Sequence, residues 1–123
     1  MKKNTESLEE MLWDEVEVIR KQLDQALKTW RSNGLAWCEA EKEYRKLKSQ
    51  EILRLRAEGL PVTLIPDIVK GLDEVAELDF KRNAAEVIYK ANGEAINVKK
   101  AEFKAMESEL EREYVSENNT GDS

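Results

Sequence analysis

The chain contains no histidine. That absence removes imidazole general bases, Ser-His-Asp and Cys-His arrangements, and most zinc sites at once. A single cysteine, Cys38, rules out an intramolecular disulfide, and its place beside Trp37 in a helical pattern reads as a small packing residue rather than a nucleophile. Only two prolines and five glycines occur in 123 residues. No GxGxxG or phosphate-binding glycine loop can be traced among them. No apolar run approaches the roughly 20 residues of a membrane span. The opening Met1-Lys2-Lys3-Asn4-Thr5-Glu6-Ser7 turns acidic before any apolar run develops, so no secretory leader is read and a reducing, cytoplasmic setting is expected. An excess of positive charge is also missing. The net charge is −6, which argues against wholesale wrapping of a phosphate backbone. Acidic and basic residues alternate, so the acidity reads as a solvated helical surface rather than an acidic decoy for a nucleic-acid enzyme.

What is present is charge, at 37%, interleaved with regularly spaced apolar residues. This is the composition of long helices and coiled coils. Ser7 followed by Glu10 has capping-box spacing, which places a helix start at Thr5 or Ser7. Leu8, Leu12, Val16, Ile19, Leu23, Leu27 and Trp30 then recur by threes and fours, one stripe on a helix. Ser32-Asn33-Gly34 is a break signal. Trp37, Ala40, Tyr44, Leu47, Ile52 and Leu55 resume the period, favouring a continuous helix, with room for a kink at Asn33-Gly34, over a full turn. Gly59-Leu60-Pro61 should end it, glycine offering the left-handed cap and proline stopping the ladder. The following connector is unusually apolar, with a short helical turn from Pro66 to Gly71. In the last helix the leading stripe is Ala76, Phe80, Ala84, Ile88, Ala91, Ala95, Val98, Met106 and Leu110. A neighbouring row holds Tyr89, Ile96, Phe103 and Leu110 at intervals of seven. Asn92-Gly93 is read through, at about 1 kcal/mol for the glycine.

The expectation is an all-α protein with a single domain over 1–116. Its parts are a helix over about 5–58, a connector over 59–71, a helix over about 72–115 and a disordered tail over 117–123. Two long helices around a short connector describe an antiparallel, coiled-coil-like hairpin. One seam cannot hide all the apolar surface present. Pairing of two hairpins into a four-helix dimer is therefore preferred, with a three-helix bundle folded at Asn33-Gly34 as the alternative.

No catalytic, cofactor-binding or metal-ligating set emerges, and a non-enzymatic protein is expected. The carboxylates fall mainly off the apolar stripes and lack the histidine partners that di-metal bundles use. Candidate protein-binding residues are Trp30, Trp37, Leu60, Val62, Leu64, Ile65 and Ile68, because aromatic and aliphatic anchors dominate interface energetics. Candidate nucleic-acid contacts are Lys42, Arg45 and Lys46, and Lys99, Lys100 and Lys104. With a hairpin turn near residue 65, Lys28 and Arg31 would approach Lys99 and Lys100. Neighbouring glutamates at helical spacing offer each of these cations a simpler role. Leu55, Gly59 and Ile65 have helix-turn-helix spacing. The segment that would read bases, however, holds Pro66 and Asp67 and just one basic residue. Trp30 and Gly34 also invite comparison with WXG secretion hairpins. The glycine there comes two residues after the tryptophan, not four, and Asn118 replaces the acid of that family's tail motif.

A broader resemblance lies in Ala40-Glu41-Lys42-Glu43-Tyr44-Arg45 and in Glu51-Ile52-Leu53-Arg54-Leu55-Arg56-Ala57-Glu58-Gly59-Leu60-Pro61-Val62-Thr63. It continues through Val75-Ala76-Glu77-Leu78, Ala84-Ala85-Glu86-Val87-Ile88-Tyr89-Lys90, Glu94-Ala95-Ile96-Asn97-Val98 and Leu110-Glu111-Arg112-Glu113-Tyr114. This part resembles small helical proteins encoded by phages and prophages of Gram-positive bacteria, whose genes lie among those for single-strand binding and recombination. The resemblance covers about two-thirds of the chain, rests on general character plus the Gly-x-Pro-Val-Thr connector, and excludes the stretch with Trp13 and Trp30. It implies an accessory role in phage DNA metabolism or inhibition of a host system; joined to the surplus apolar surface, the expectation is an oligomeric adaptor or inhibitor of a DNA-processing or host-defence protein. The alternatives are a nucleic-acid-binding accessory protein and an assembly or secreted hairpin role.

Overall fold

The computed structural model describes residues 7–121, with side chains through 116. It is all-helical: α1 (Leu8–Ala57), α2 (Ile65–Gly71) and α3 (Asp73–Gly121). The Ser7 hydroxyl accepts the Glu10 backbone N–H at 3.1 Å, so the start of α1 is capped as its spacing suggests. Thr5, the other candidate, lies outside the described residues. No turn interrupts α1 at Asn33-Gly34 or α3 at Asn92-Gly93. A fold-back at Asn33-Gly34, the basis of the three-helix alternative, is therefore not what the chain adopts. Helix α3 continues past the expected end near 115 to Gly121.

The end of α1 shows why glycine stands at 59. Its φ is +86°. The Leu60 N–H reaches the Leu55 carbonyl at 3.3 Å and the Gly59 N–H reaches that of Arg56 at 3.1 Å. These are the two bonds of a Schellman cap, which needs a left-handed residue between them. The Leu64 N–H then bonds the Pro61 carbonyl at 3.0 Å, and Pro66 sits in the first turn of α2, where no N–H is required. Leu72 separates α2 from α3 in an extended conformation, and its carbonyl accepts the Ala76 N–H at 2.8 Å.

Two compact units divide the chain: Met1–Thr29 with Asn92–Ser123, and Trp30–Ala91. In the second unit Tyr44, Leu55, Ile65, Val69 and Val75 form a buried cluster, with Leu47, Ile52, Leu60, Ile68, Leu72 and Leu78 packed on it. The apolar connector is explained here, because α2 inserts Ile65 and Val69 into that core. Burial on α1 recurs at Trp30, Asn33, Trp37, Ala40, Tyr44, Leu47, Glu51 and Leu55, with steps of three and four alternating as far as Glu51. On α3 it recurs at Val75, Leu78, Arg82, Ala85 and Tyr89 in the same alternation. A mean step of 3.5 is what keeps one face of a helix turned toward another. Glu41 meets Arg82 at 3.5 Å and Trp30 meets Tyr89.

In the first unit the pattern is the same, with Leu12, Val16, Ile19, Leu23 and Ala26 on α1 and Ile96, Phe103, Met106 and Leu110 on α3. Arg20 lies 5.9 Å from the Phe103 ring centroid, and Lys99 donates to Gln22 at 2.9 Å.

These contacts correct two expectations. The buried face of α3 is the row of sevens through Tyr89, Ile96, Phe103 and Leu110. In the leading stripe Phe80, Ile88 and Val98 are half or more exposed. The row of sevens wins because a 3.5-residue repeat stays in register with α1, whereas the leading stripe, stepping by four from Ala76 to Ile88, drifts away around the helix. The second correction concerns Lys99, whose ammonium is bonded to Gln22 and Glu102 rather than left free as part of a basic patch. The residues around 65 belong to a packed helix, with Ile65 and Val69 in its core, rather than to the middle of a symmetrical loop.

Candidate functional site

The connector candidates divide by exposure. Ile65 is 3% exposed, part of the unit's own core, and Leu60 and Ile68 pack against it. As binding anchors these three are already occupied. Val62 and Leu64 are 67% and 51% exposed. They stand on a turn braced by the cap at Gly59 and by the buried side chains that follow. Two apolar side chains, one residue apart on the turn, thus face solvent from a mount that the core holds in place.

Trp30 and Trp37 are half-buried, and what they hold is Tyr89. The Trp30 and Tyr89 rings stack at 5.3 Å and 11°, and Trp37 lies tilted at 5.4 Å and 39° on the same ring. Gly34 lies between the two tryptophans on one face of α1, leaving space for the tyrosine. An open groove remains beside them, lined by Trp30, Arg31, Gly34, Leu35, Trp37, Cys38 and Tyr89. The Trp30 indole N–H is buried without a hydrogen-bond partner. Cys38 itself is exposed, not a packing residue. A cysteine next to a tryptophan is placed by the heptad, and 38 falls one position outside the seam.

The basic candidates are tied to acids on the same helix or are dispersed. Lys42 is 3.9 Å from Glu39 and Arg45 is 2.8 Å from Glu41. Lys46 is exposed. Arg54, which continues that cluster, bonds Glu51 at 2.7 Å and Glu58 at 2.8 Å, and its pKa is held above the ordinary value by the Glu51 bond first and the Glu58 bond second. In the other unit Lys99 is half-buried between Gln22 and Glu102, while Lys100 and Lys104 are exposed. Such pairs at three and four residues stabilise helices modestly and leave less charge for phosphate.

Sequence reasoning missed two surfaces. In the first unit a groove is lined by Trp13, Arg20, Phe103, Glu107, Leu110, Glu111 and Tyr114, among others, with Trp13 and Tyr114 more than half exposed. Trp13 stands one residue after the buried Leu12, and that phase is the signal that could have placed it outward. In the second unit Phe80, Val87 and Ile88 are 68%, 66% and 50% exposed on α3. Among the described residues no cluster of three or more potential metal ligands occurs, and no helix is long and apolar enough to cross a membrane. No family model, curated protein or solved structure matches the chain.

Proposed function

We propose that this is a non-enzymatic interaction protein: an antiparallel helical hairpin, paired with a second copy into a four-helix dimer, that presents its connector to a protein partner. The observation carrying the reading is the Val62 and Leu64 pair, more than half exposed on a turn that leads directly into the core residue Ile65. Exposed aliphatic side chains on a rigid mount lose little entropy on binding, which favours affinity. Trp30 and Trp37 contribute by fixing Tyr89 and lining the groove beside it, rather than as free anchors. The resemblance to phage and prophage proteins supports a cytoplasmic adaptor or inhibitor acting on a DNA-processing or host-defence protein.

Double substitution of Val62 and Leu64 by serine tests this. Quantitative capture from lysogenic or infected cells should lose the proteins retained by the wild type, with helical circular dichroism unchanged. Equal capture by the two forms would refute the connector as the binding element.

A further inference from the structure

Helix α3 carries two apolar stripes in the second unit, and one of them has no partner. Phe80, Ala84, Val87 and Ala91 follow one another by four, three and four residues, the spacing of the buried seam. Phe80 and Val87 each stand two residues before a seam residue, Arg82 and Tyr89. Two residues of α-helix turn through about 200°, so this stripe lies on the side of α3 facing away from the seam. Phe80 and Val87 are about two-thirds exposed, and Ile88, beside them, is half exposed. An outward helix face is ordinarily polar. A heptad of apolar residues there is the footprint of another helix.

We propose that the occupant is the same stripe of a second copy, with the two α3 helices crossing antiparallel. The proposal rests on the protein being an interaction module that pairs with itself, and it assigns the face. The stripe alternates large and small: Phe80, Ala84, Val87, Ala91. In antiparallel register Phe80 of one copy lies over Ala91 of the other, and Val87 over Ala84, so each large side chain meets a small one, reciprocally. Self-complementarity of this kind is what a two-fold interface requires. A parallel pair would stack phenylalanine on phenylalanine and alanine on alanine, leaving clashes and gaps. The flanks agree with the antiparallel pair. Lys81 lays its aliphatic stem along Ile88 of the second copy, and Lys90, already 2.9 Å from Glu86 in its own chain, comes beside Asn83. No like charges are brought together.

The size of the face sets the strength. The five side chains on two copies expose on the order of 700 Å² together, below the range of about 1,200–2,000 Å² for stable complexes. The dimer is therefore reversible. Sedimentation of the full chain from about 1 µM to about 1 mM should carry the mass from 14.2 kDa toward twice that value. Val87→Glu, at an exposed position, should weaken association at least about tenfold, because a charge at the centre of the face loses its water. Phe80→Ser should also weaken it, and Leu53→Glu, exposed on α1 away from the stripe, should not. Circular dichroism checks that each variant is folded. In a Cys38→Ser background, Phe80→Cys with Ala91→Cys should link covalently between chains on mild oxidation, whereas Ala84→Cys alone should not.

A wild-type chain that stays monomeric throughout would overturn self-association and this face with it. A wild-type dimer that Val87→Glu and Phe80→Ser leave intact would overturn the face alone. Efficient linkage through Ala84→Cys alone would replace the antiparallel arrangement with a parallel one.

Discussion

Gly34 and Tyr89 are fitted to each other: a Cβ on the glycine would stand 3.1 Å from Tyr89 Cε2 and 3.4 Å from Cδ2. A glycine inside a 50-residue helix costs about 1 kcal/mol relative to alanine, and here that cost makes room for a ring clamped between Trp30 and Trp37. Gly34→Ala should therefore forfeit most of the helix-propensity gain, since Tyr89 must shift by a few tenths of an ångström. Gly34→Val should lower stability by about 1–3 kcal/mol through overpacking. Gly71→Ala is the contrast, because nothing lies within 4 Å of its added carbon and its φ is not positive; it should stabilise by about 0.5 kcal/mol. Urea titrations of the three variants check the order Gly71→Ala above Gly34→Ala above Gly34→Val.

Gly59 is needed for a different reason. Nothing would touch a Cβ there, but φ is +86°. Substitution by alanine should cost about 1–2 kcal/mol through backbone strain alone. Gly59→Asn should cost less, since asparagine tolerates the left-handed region better. Near-equal midpoints for the alanine and asparagine forms would mean that the strain is relieved by rearranging the cap.

The heptad was legible in the sequence, but which apolar row faces inward was not. Both rows of α3 repeat with helical spacing, and single-helix periodicity does not say which one a neighbour covers. The decision is made by what α1 offers: the hollow at Gly34 accepts Tyr89, and Tyr44 accepts Arg82. Those are pairwise matches across the chain, invisible to a window on one helix. The cap at Gly59 and the short helix at Pro66 were readable because their causes are local, a positive φ and a missing N–H. Ile65 reads from sequence as a free anchor, because an apolar connector looks the same whether it folds inward or reaches outward; the structure puts it in the core. Val62 and Leu64, from the same run, do face solvent.

That split predicts opposite outcomes for neighbours in sequence. Ile65→Ala should destabilise the fold by about 2–4 kcal/mol, the range for emptying a packed site. Leu64→Ala, at a half-exposed position, should change stability by less than about 0.5 kcal/mol. Thermal melts of the two variants decide it, and equal effects would mean that Leu64 is also held by the core.

Arg82 is a polar member of the second unit's α3 seam, and its environment determines what can replace it. Its guanidinium lies 4.2 Å from the Tyr44 ring centroid, 3.5 Å from Glu41 on α1 and 2.6 Å from Asp79 in its own helix. Its side chain is 26% exposed, so the ion pairs are only partly screened. A planar guanidinium can stack on the ring and bond two carboxylates at once, whereas an ammonium cannot do both. Arg82→Lys should therefore lose about 1 kcal/mol despite keeping the charge. A double-mutant cycle of Arg82→Ala with Tyr44→Leu should give coupling of about 0.5–1 kcal/mol that survives added salt. The cycle with Glu41→Gln should give a smaller coupling that declines as salt rises. Coupling to Glu41 that exceeds coupling to Tyr44 would assign the residue's main contribution to the ion pair instead of the ring, and Arg82→Lys would then be close to neutral.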